Sequence, residues 1–178
     1  MTATTTRQPW SRHIRYPHWQ RDNPAILATF AALDAAKALT GSHFFGGRWE
    51  NQYAPRAAVP ALEPVLHYAQ RCAADVMQQP PAALRIGFWF NATHPGQSTA
   101  PHTHDDFDEC LSGVYYVRTP PDSGDLRLGE AAIRLRPREG GLVLFDPALI
   151  HYVDTHRGQG MRLSVGMNFG PADGGWPA

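Results

Sequence analysis

Two imidazoles and a run of carboxylates stand together at His102-Thr103-His104-Asp105-Asp106, just before the apolar segment Leu111-Ser-Gly-Val-Tyr-Tyr-Val117. Side chains alternate along an extended backbone, so residues 102, 104 and 106 project to one side and can converge on one ion. A third nitrogen is available from His151, which follows the short apolar run ending at Leu149-Ile150. Imidazole with carboxylate suits a borderline divalent cation. A facial set of three donors with open positions suits non-haem Fe(II) oxygen chemistry. The only cysteines, Cys72 and Cys110, are too few for a thiolate zinc cage. Against this stands the plainer reading that His102 and His104 are solvated loop residues, because histidine is an ordinary surface residue.

Eleven residues beyond His151 begins the strand-like segment Arg162-Leu-Ser-Val-Gly-Met-Asn-Phe169. Alternation puts Arg162 and Ser164 on the same face, where a guanidinium and a hydroxyl can grip one carboxylate. An arginine on an apolar strand is costly to bury without a counter-charge, so it calls for an anion. That anion is either a ligand or an internal aspartate such as Asp146 or Asp154.

The rest of the chain must position these groups. Asp22-Asn23-Pro24 reads as a capping residue before a helix that carries Ile26, Leu27, Phe30, Leu33 and Leu39 and ends at Gly41. Pro60 opens a second helix with Leu62, Val65, Leu66, Ala69, Ala73, Val76 and Met77 on one stripe, stopped by Pro80-Pro81. Beyond Pro81, short β-branched and aromatic runs separated by Gly, Pro and Asp read as strands near 85–91, 111–118, 124–128, 132–135, 141–145, 150–154 and 162–169. Seven strands need closure or a sandwich to protect their edges. The expected class is mainly β (α+β): a double-stranded β-helix or jelly roll with two N-terminal helices packed outside the sheet. One domain is expected over 1–178, with a loose tail or edge segment at 1–12, a helical part at 22–80 and the β core at 85–170.

Sixteen basic and sixteen acidic residues cancel, so no basic footprint favours nucleic acid. No apolar run approaches the roughly 20 residues of a membrane span. The start of the chain carries no apolar signal region, and two thiols make no disulfide framework, so a cytoplasmic location is expected. A small-molecule partner is expected, and an exposed sheet face or helix could make a homodimer.

Five blocks in this order resemble the 2-oxoglutarate–Fe(II) oxygenase family, and more distantly the prolyl hydroxylases. They are Pro101-His-Thr-His104, Leu111-Ser-Gly-Val-Tyr-Tyr-Val117, Gly124-Asp-Leu126, Gly141-Leu-Val-Leu-Phe145 leading to His151, and Arg162-Leu-Ser-Val-Gly-Met-Asn-Phe169. The match spans about residues 85 to 170. It implies a double-stranded β-helix in which His102 and His151 bind Fe(II), and Arg162 with Ser164 anchors the distal carboxylate of 2-oxoglutarate. Tyr116 would hydrogen-bond the cosubstrate. The implied reaction consumes O2 and 2-oxoglutarate, releases succinate and CO2, and oxidises a substrate C–H bond, most simply by hydroxylation. The wider superfamily has His-x-Asp where this chain has His102-x-His104, which leaves two registers. Either His102, His104 and His151 form a three-histidine face, or Asp106 joins His104 and His151.

Trp89, Asn91, Tyr115 and Phe145 are candidates for the substrate pocket, since such pockets combine aromatic walls with a few polar groups. The cluster His13, Tyr16, His18 and Trp19 and the run His43-Phe-Phe-Gly-Gly47 are candidates for capping the barrel mouth. Two rival functions remain open: a cupin-like three-histidine dioxygenase that dispenses with 2-oxoglutarate, and a non-catalytic barrel that binds a metal or ligand.

Overall fold

A computed structural model describes residues 9–104 and 107–174. In chain order the elements are β1 (Ser11–Arg15), α1 (Trp19–Ala35), β2 (Thr40–Phe45), β3 (Arg48–Tyr53), α2 (Glu63–Met77), β4 (Leu84–Thr93) and β5 (Thr99–His102). They continue with β6 (Leu111–Arg118), β7 (Leu126–Leu128), β8 (Ile133–Leu135), β9 (Gly141–Phe145), β10 (His151–Val153) and β11 (Arg162–Pro171). The strands form a seven-stranded sheet in the order β1-β9-β6-β11-β4-β3-β2 and a four-stranded sheet in the order β5-β10-β7-β8. The pairings among the described strands are all antiparallel. This is the double-stranded β-helix expected from the sequence.

Strand alternation divides the core in two. Leu111, Tyr115 and Val117 of β6 join Phe90, Leu163, Val165 and the helix residues Ile26, Phe30, Val65 and Leu66 in one buried cluster. Val114 and Tyr116 point the other way, joining Leu126, Leu128, Val143, Phe145 and Val153 between the sheets. The helices therefore cover the outer face of the large sheet, and the inner face is left for the site. Each fully buried Leu or Phe contributes about 1.5–3 kcal/mol of transfer free energy, so the helix side holds most of the apolar stabilisation and the barrel interior can tolerate polar groups.

The N-terminal half departs from the sequence reading in its hairpin and in both ends of α1. Residues 40–53 form a hairpin, β2–β3, so the part between 22 and 80 is not wholly helical. Gly41 lies in β2, and α1 instead ends through Lys37 in the left-handed region (φ 53°). Gly46 and Gly47, both at positive φ (57° and 79°), make the hairpin turn, a chemistry for which glycine is the usual residue. The missed signal was the alternation in Arg48-Trp-Glu-Asn-Gln-Tyr53 after a Gly-Gly pair. Residues 11–15 form an edge strand on β9, the edge-segment alternative of the reading for 1–12, and the strand runs on to Arg15. α1 starts a turn before Asp22, and Pro24 lies inside it. What binds α1 to the sheet is Asn23, whose Nδ2 donates to the Val117 carbonyl (2.6 Å) while Tyr115 Oη donates to its Oδ1 (2.6 Å).

Candidate metal centre

β5 and β10 are direct neighbours in the small sheet, and His102 and His151 are cross-strand partners. Their ring centroids lie 4.2 Å apart. His104, two residues beyond the strand, has its backbone N–H donating to the Pro147 carbonyl (2.9 Å), which swings its ring to 4.8 Å from His102 and 5.0 Å from His151. One nitrogen from each of the three rings lies within 4.8 Å of the others. The Nδ1–H groups of His102 and His151 donate to the carbonyls of Ala100 (2.7 Å) and Leu149 (2.9 Å). A carbonyl can only accept, so these bonds fix the tautomer and leave Nε2 of each ring as the donor to a cation. Burial, and then the neighbouring His102, push the His151 imidazole down to about 3. It is therefore neutral at physiological pH, as a ligand must be. The alternative donor Asp106 lies outside the described residues.

Arg162 opens β11 and is only 2 % exposed. Its Nη1 donates to the carbonyls of Ser123 (3.3 Å) and Gly124 (3.2 Å), its guanidinium lies 5.3 Å from the centre of the Tyr116 ring, and its Nε has no partner. Burial lowers its pKa, opposed by Tyr116 and Asp125, yet a guanidinium does not give up its proton in proteins. Asp154, one of the aspartates that could have neutralised it, is bound to Arg127 instead (2.8 Å). Tyr116 Oη and Ser123 Oγ are also buried without partners. Ser164 stands beside them, in register with Tyr116 on one side and Asn91 on the other, with Oγ 3.5 Å from the Asn91 carbonyl. Arg162 Nε, Tyr116 Oη and Ser123 Oγ are thus buried polar atoms with no partner among the described residues, an arrangement whose cost a carboxylate could offset.

Trp89, Asn91, Phe145, Arg162 and Ser164 line an inner pocket with the three histidines. Tyr115 does not belong with them. It sits on the opposite face of β6 and packs edge-on against Tyr16 (6.1 Å) under the helices. Adjacent strand residues cannot both face the barrel interior, so Tyr116 inside requires Tyr115 outside. His13, Tyr16, His18 and Trp19, the other candidates for a cap, line neither this pocket nor the cleft outside it, and Tyr16 is buried under the helices. The run His43-Phe-Phe45, by contrast, lines a cleft of about 930 Å³ that opens onto His102 and His104.

Sequence reasoning missed two groups that hold the site together. Arg48 and Glu50 on β3 are both buried and lie 3.6 Å apart. Arg48 Nη2 donates to the Ser98 carbonyl (3.0 Å) and Thr99 Oγ1 (3.1 Å), and Glu50 Oε1 accepts from the Ala100 N–H (3.1 Å). These bonds tie β5 of one sheet to β3 of the other. Ala100, held by Glu50 through its N–H, in turn orients the His102 ring through its carbonyl. His156, fully buried, holds the turn before Arg162 by donating to the Gly160 carbonyl (2.8 Å) and accepting from Gly158 N–H (3.1 Å). Only the burial of β3 could have singled out Arg48 and Glu50, because charged pairs two apart on a hairpin usually face water.

No family model matches the sequence, and no curated protein matches it either. Solved structures do share the fold. A prolyl-4-hydroxylase from Pseudomonas putida superposes with a TM-score of 0.70 at 22% identity, covering 92% of this chain and 93% of that one. The α-ketoglutarate-dependent carbocyclase SnoK from nogalamycin biosynthesis gives 0.74 at 13% identity, covering 92% and 80%. HygX from Streptomyces hygroscopicus, solved with nickel and 2-oxoglutarate bound, gives 0.66 at 14% identity, covering 92% and 83%. The likeness is one of fold: the chain has the double-stranded β-helix of the 2-oxoglutarate–Fe(II) oxygenases.

Proposed function

We propose that the chain is an Fe(II)- and 2-oxoglutarate-dependent oxygenase that oxidises, most simply by hydroxylation, a small-molecule substrate. The carrying observation is the inner pocket, where three convergent imidazoles share a wall with a buried guanidinium that forms no salt bridge to a carboxylate among the described residues. The donor set suits a divalent transition metal, and the orphaned Nε of Arg162 with Tyr116 Oη suits a carboxylate. Structures sharing this fold include one with nickel and 2-oxoglutarate bound, which agrees with both.

In this reading His102, His104 and His151 hold the metal, with the first and last already aimed by the carbonyls of Ala100 and Leu149. Arg162 takes the distal carboxylate of the cosubstrate, Ser164 donates to the same group, and Tyr116 Oη donates from below its own cation–π contact with Arg162. When bound, the metal with 2-oxoglutarate and O2 supplies the oxidising chemistry and yields succinate and CO2. The protein's part is to orient, to neutralise and to keep water from the pocket. The two apolar side chains Phe145 and Trp89 beside His151 and His104, at 4.9 and 5.3 Å between ring centres, serve that last role.

The decisive experiment is an anaerobic visible spectrum of the purified protein with Fe(II) and 2-oxoglutarate, followed by succinate release under air. A weak charge-transfer band that disappears in Arg162→Met supports the reading. A protein that binds Fe(II) but neither shows the band nor turns over 2-oxoglutarate is instead the three-histidine dioxygenase or a metal-binding barrel, the former distinguished by O2 uptake.

A further inference from the structure

The described chain leaves six large apolar side chains exposed: Phe44, Phe45, Trp49, Tyr53, Phe107 and Ile150. Four of them, Phe44, Phe45, Tyr53 and Phe107, line the cleft that descends to His102 and His104. Surface apolar groups scattered singly need no explanation, but a cluster around a concave site marks a binding surface. Phe44 and Phe107 are 64 % and 62 % exposed, so both offer aromatic area that a ligand would remove from water.

The base of the cleft is as specific as its rim. Trp89 lines both the outer cleft and the inner pocket beside the histidines. Its indole lies on Gly166 of β11, where an added Cβ would meet Cε2 at 2.3 Å, and it tilts against His104 at 5.3 Å. The indole is thus held in place by its surroundings, and Tyr53 of the hairpin stands 6.4 Å from it.

Among the described residues, the Asp, Glu, Lys and Arg side chains that line the cleft have one sign. No lysine or arginine is among its described lining residues, and its carboxylates are Glu50 and Glu109. Glu50 is already neutralised by Arg48 (3.6 Å). Glu109, whose Oε2 accepts from the Phe107 N–H (3.1 Å), is left as the charge facing the ligand. Above the histidines, an anion entering this cleft would shed water and find no lysine or arginine among the described lining residues in return. A flat apolar ring finds aromatic faces, and an ammonium group finds both π-faces and a carboxylate.

We infer that the substrate taken by this cleft is a ring-bearing small molecule without anionic groups, neutral or amine-bearing, stacked between Trp89 and the aromatic tip of the β2–β3 hairpin. This rests on the oxygenase reading for what happens to the substrate, but not for what binds. The cleft volume of about 930 Å³ lies at the upper end of the roughly 300–1,000 Å³ typical of small-molecule sites.

The test uses three probes with one ring system: 2-naphthylmethanol, 1-(2-naphthyl)ethylamine and 2-naphthylacetate. Binding to the full chain is measured by equilibrium dialysis, with Ni(II) and excess 2-oxoglutarate present so that a carboxylate probe does not report on Arg162. The amine and the alcohol should bind at least about tenfold more tightly than the acetate, a difference of about 1.4 kcal/mol. Phe44→Ser, at an exposed tip where folding is not at stake, should weaken both favoured probes by about three- to tenfold, consistent with an aromatic contact of about 0.5–1.5 kcal/mol. Glu109→Gln should remove the preference for amine over alcohol. The inference is overturned if the acetate binds as tightly as the others, if binding is indifferent to Phe44→Ser, or if a proline-bearing peptide displaces the ring probes at lower concentration than the alcohol. Because probe binding is read without turnover, a failure of 2-oxoglutarate chemistry leaves these outcomes legible.

Discussion

Replacing Arg162 with methionine separates a structural arginine from one kept for a ligand. The guanidinium is 2 % exposed, makes two long hydrogen bonds to the Ser123 and Gly124 carbonyls (3.3 and 3.2 Å), and faces the Tyr116 ring. Each hydrogen bond is worth about 1 kcal/mol net, and a desolvated cation–π contact about 2 kcal/mol. Against these stands the desolvation of a charge that has no salt bridge among the described residues, several kcal/mol. Methionine has similar length and no charge. Arg162→Met should therefore be no less stable than the parent, and up to about 3 kcal/mol more stable when the terms differ most. For a domain of this size that is a rise in Tm of up to roughly 12 °C.

Ligand changes the order. With 2-oxoglutarate at a hundred times its Kd and Ni(II) present, the parent should gain about 2.7 kcal/mol by mass action, or roughly 5–11 °C, and the variant nothing. The assay is thermal unfolding followed by circular dichroism, with and without ligand, on both proteins. The reasoning is refuted if Arg162→Met loses more than about 2 kcal/mol in the absence of ligand, which would make the arginine a structural element. It is equally refuted if the variant keeps the 2-oxoglutarate shift.

The paired tyrosines give opposite results. Tyr115→Phe strands Asn23 Oδ1 beneath α1 and should cost about 1–3 kcal/mol in urea denaturation while leaving 2-oxoglutarate binding intact. Tyr116→Phe deletes a hydroxyl that has no partner, so stability should hold while 2-oxoglutarate affinity falls about tenfold, as for one lost hydrogen bond to a charged group. Glu50→Gln leaves Arg48 buried without its carboxylate. It should cost about 3–5 kcal/mol and, by loosening Ala100, weaken Ni(II) binding about tenfold, read by calorimetric titration. Gly166→Ala drives a Cβ to 2.3 Å from Trp89. It should cost about 1–3 kcal/mol through overpacking and weaken binding of the naphthyl alcohol, while Ni(II) binding, which uses other strands, stays at the parent level.

Local patterns carried much of this in the sequence. The alternation that places Arg162 beside Ser164 follows from the period of an extended chain and needs no knowledge of neighbours, whereas His104, beyond the end of β5, is brought to His102 by its bond to the Pro147 carbonyl. The apolar stripe of α2 and the strands from β6 to β11 were legible for the same reason. The period also contained the answer for Tyr115 and Tyr116, since one side chain of an adjacent pair must face the helices. Which one did so depended on register with Ser164. The pairing of His102 with His151, the union of β3 with β5 through Arg48 and Glu50, and the gathering of Phe44, Phe45 and Phe107 around one cleft were decided only by tertiary structure. Each joins residues far apart in sequence. Their contacts depend on how two sheets close on each other, a relation to which local propensity and hydrophobic period are blind.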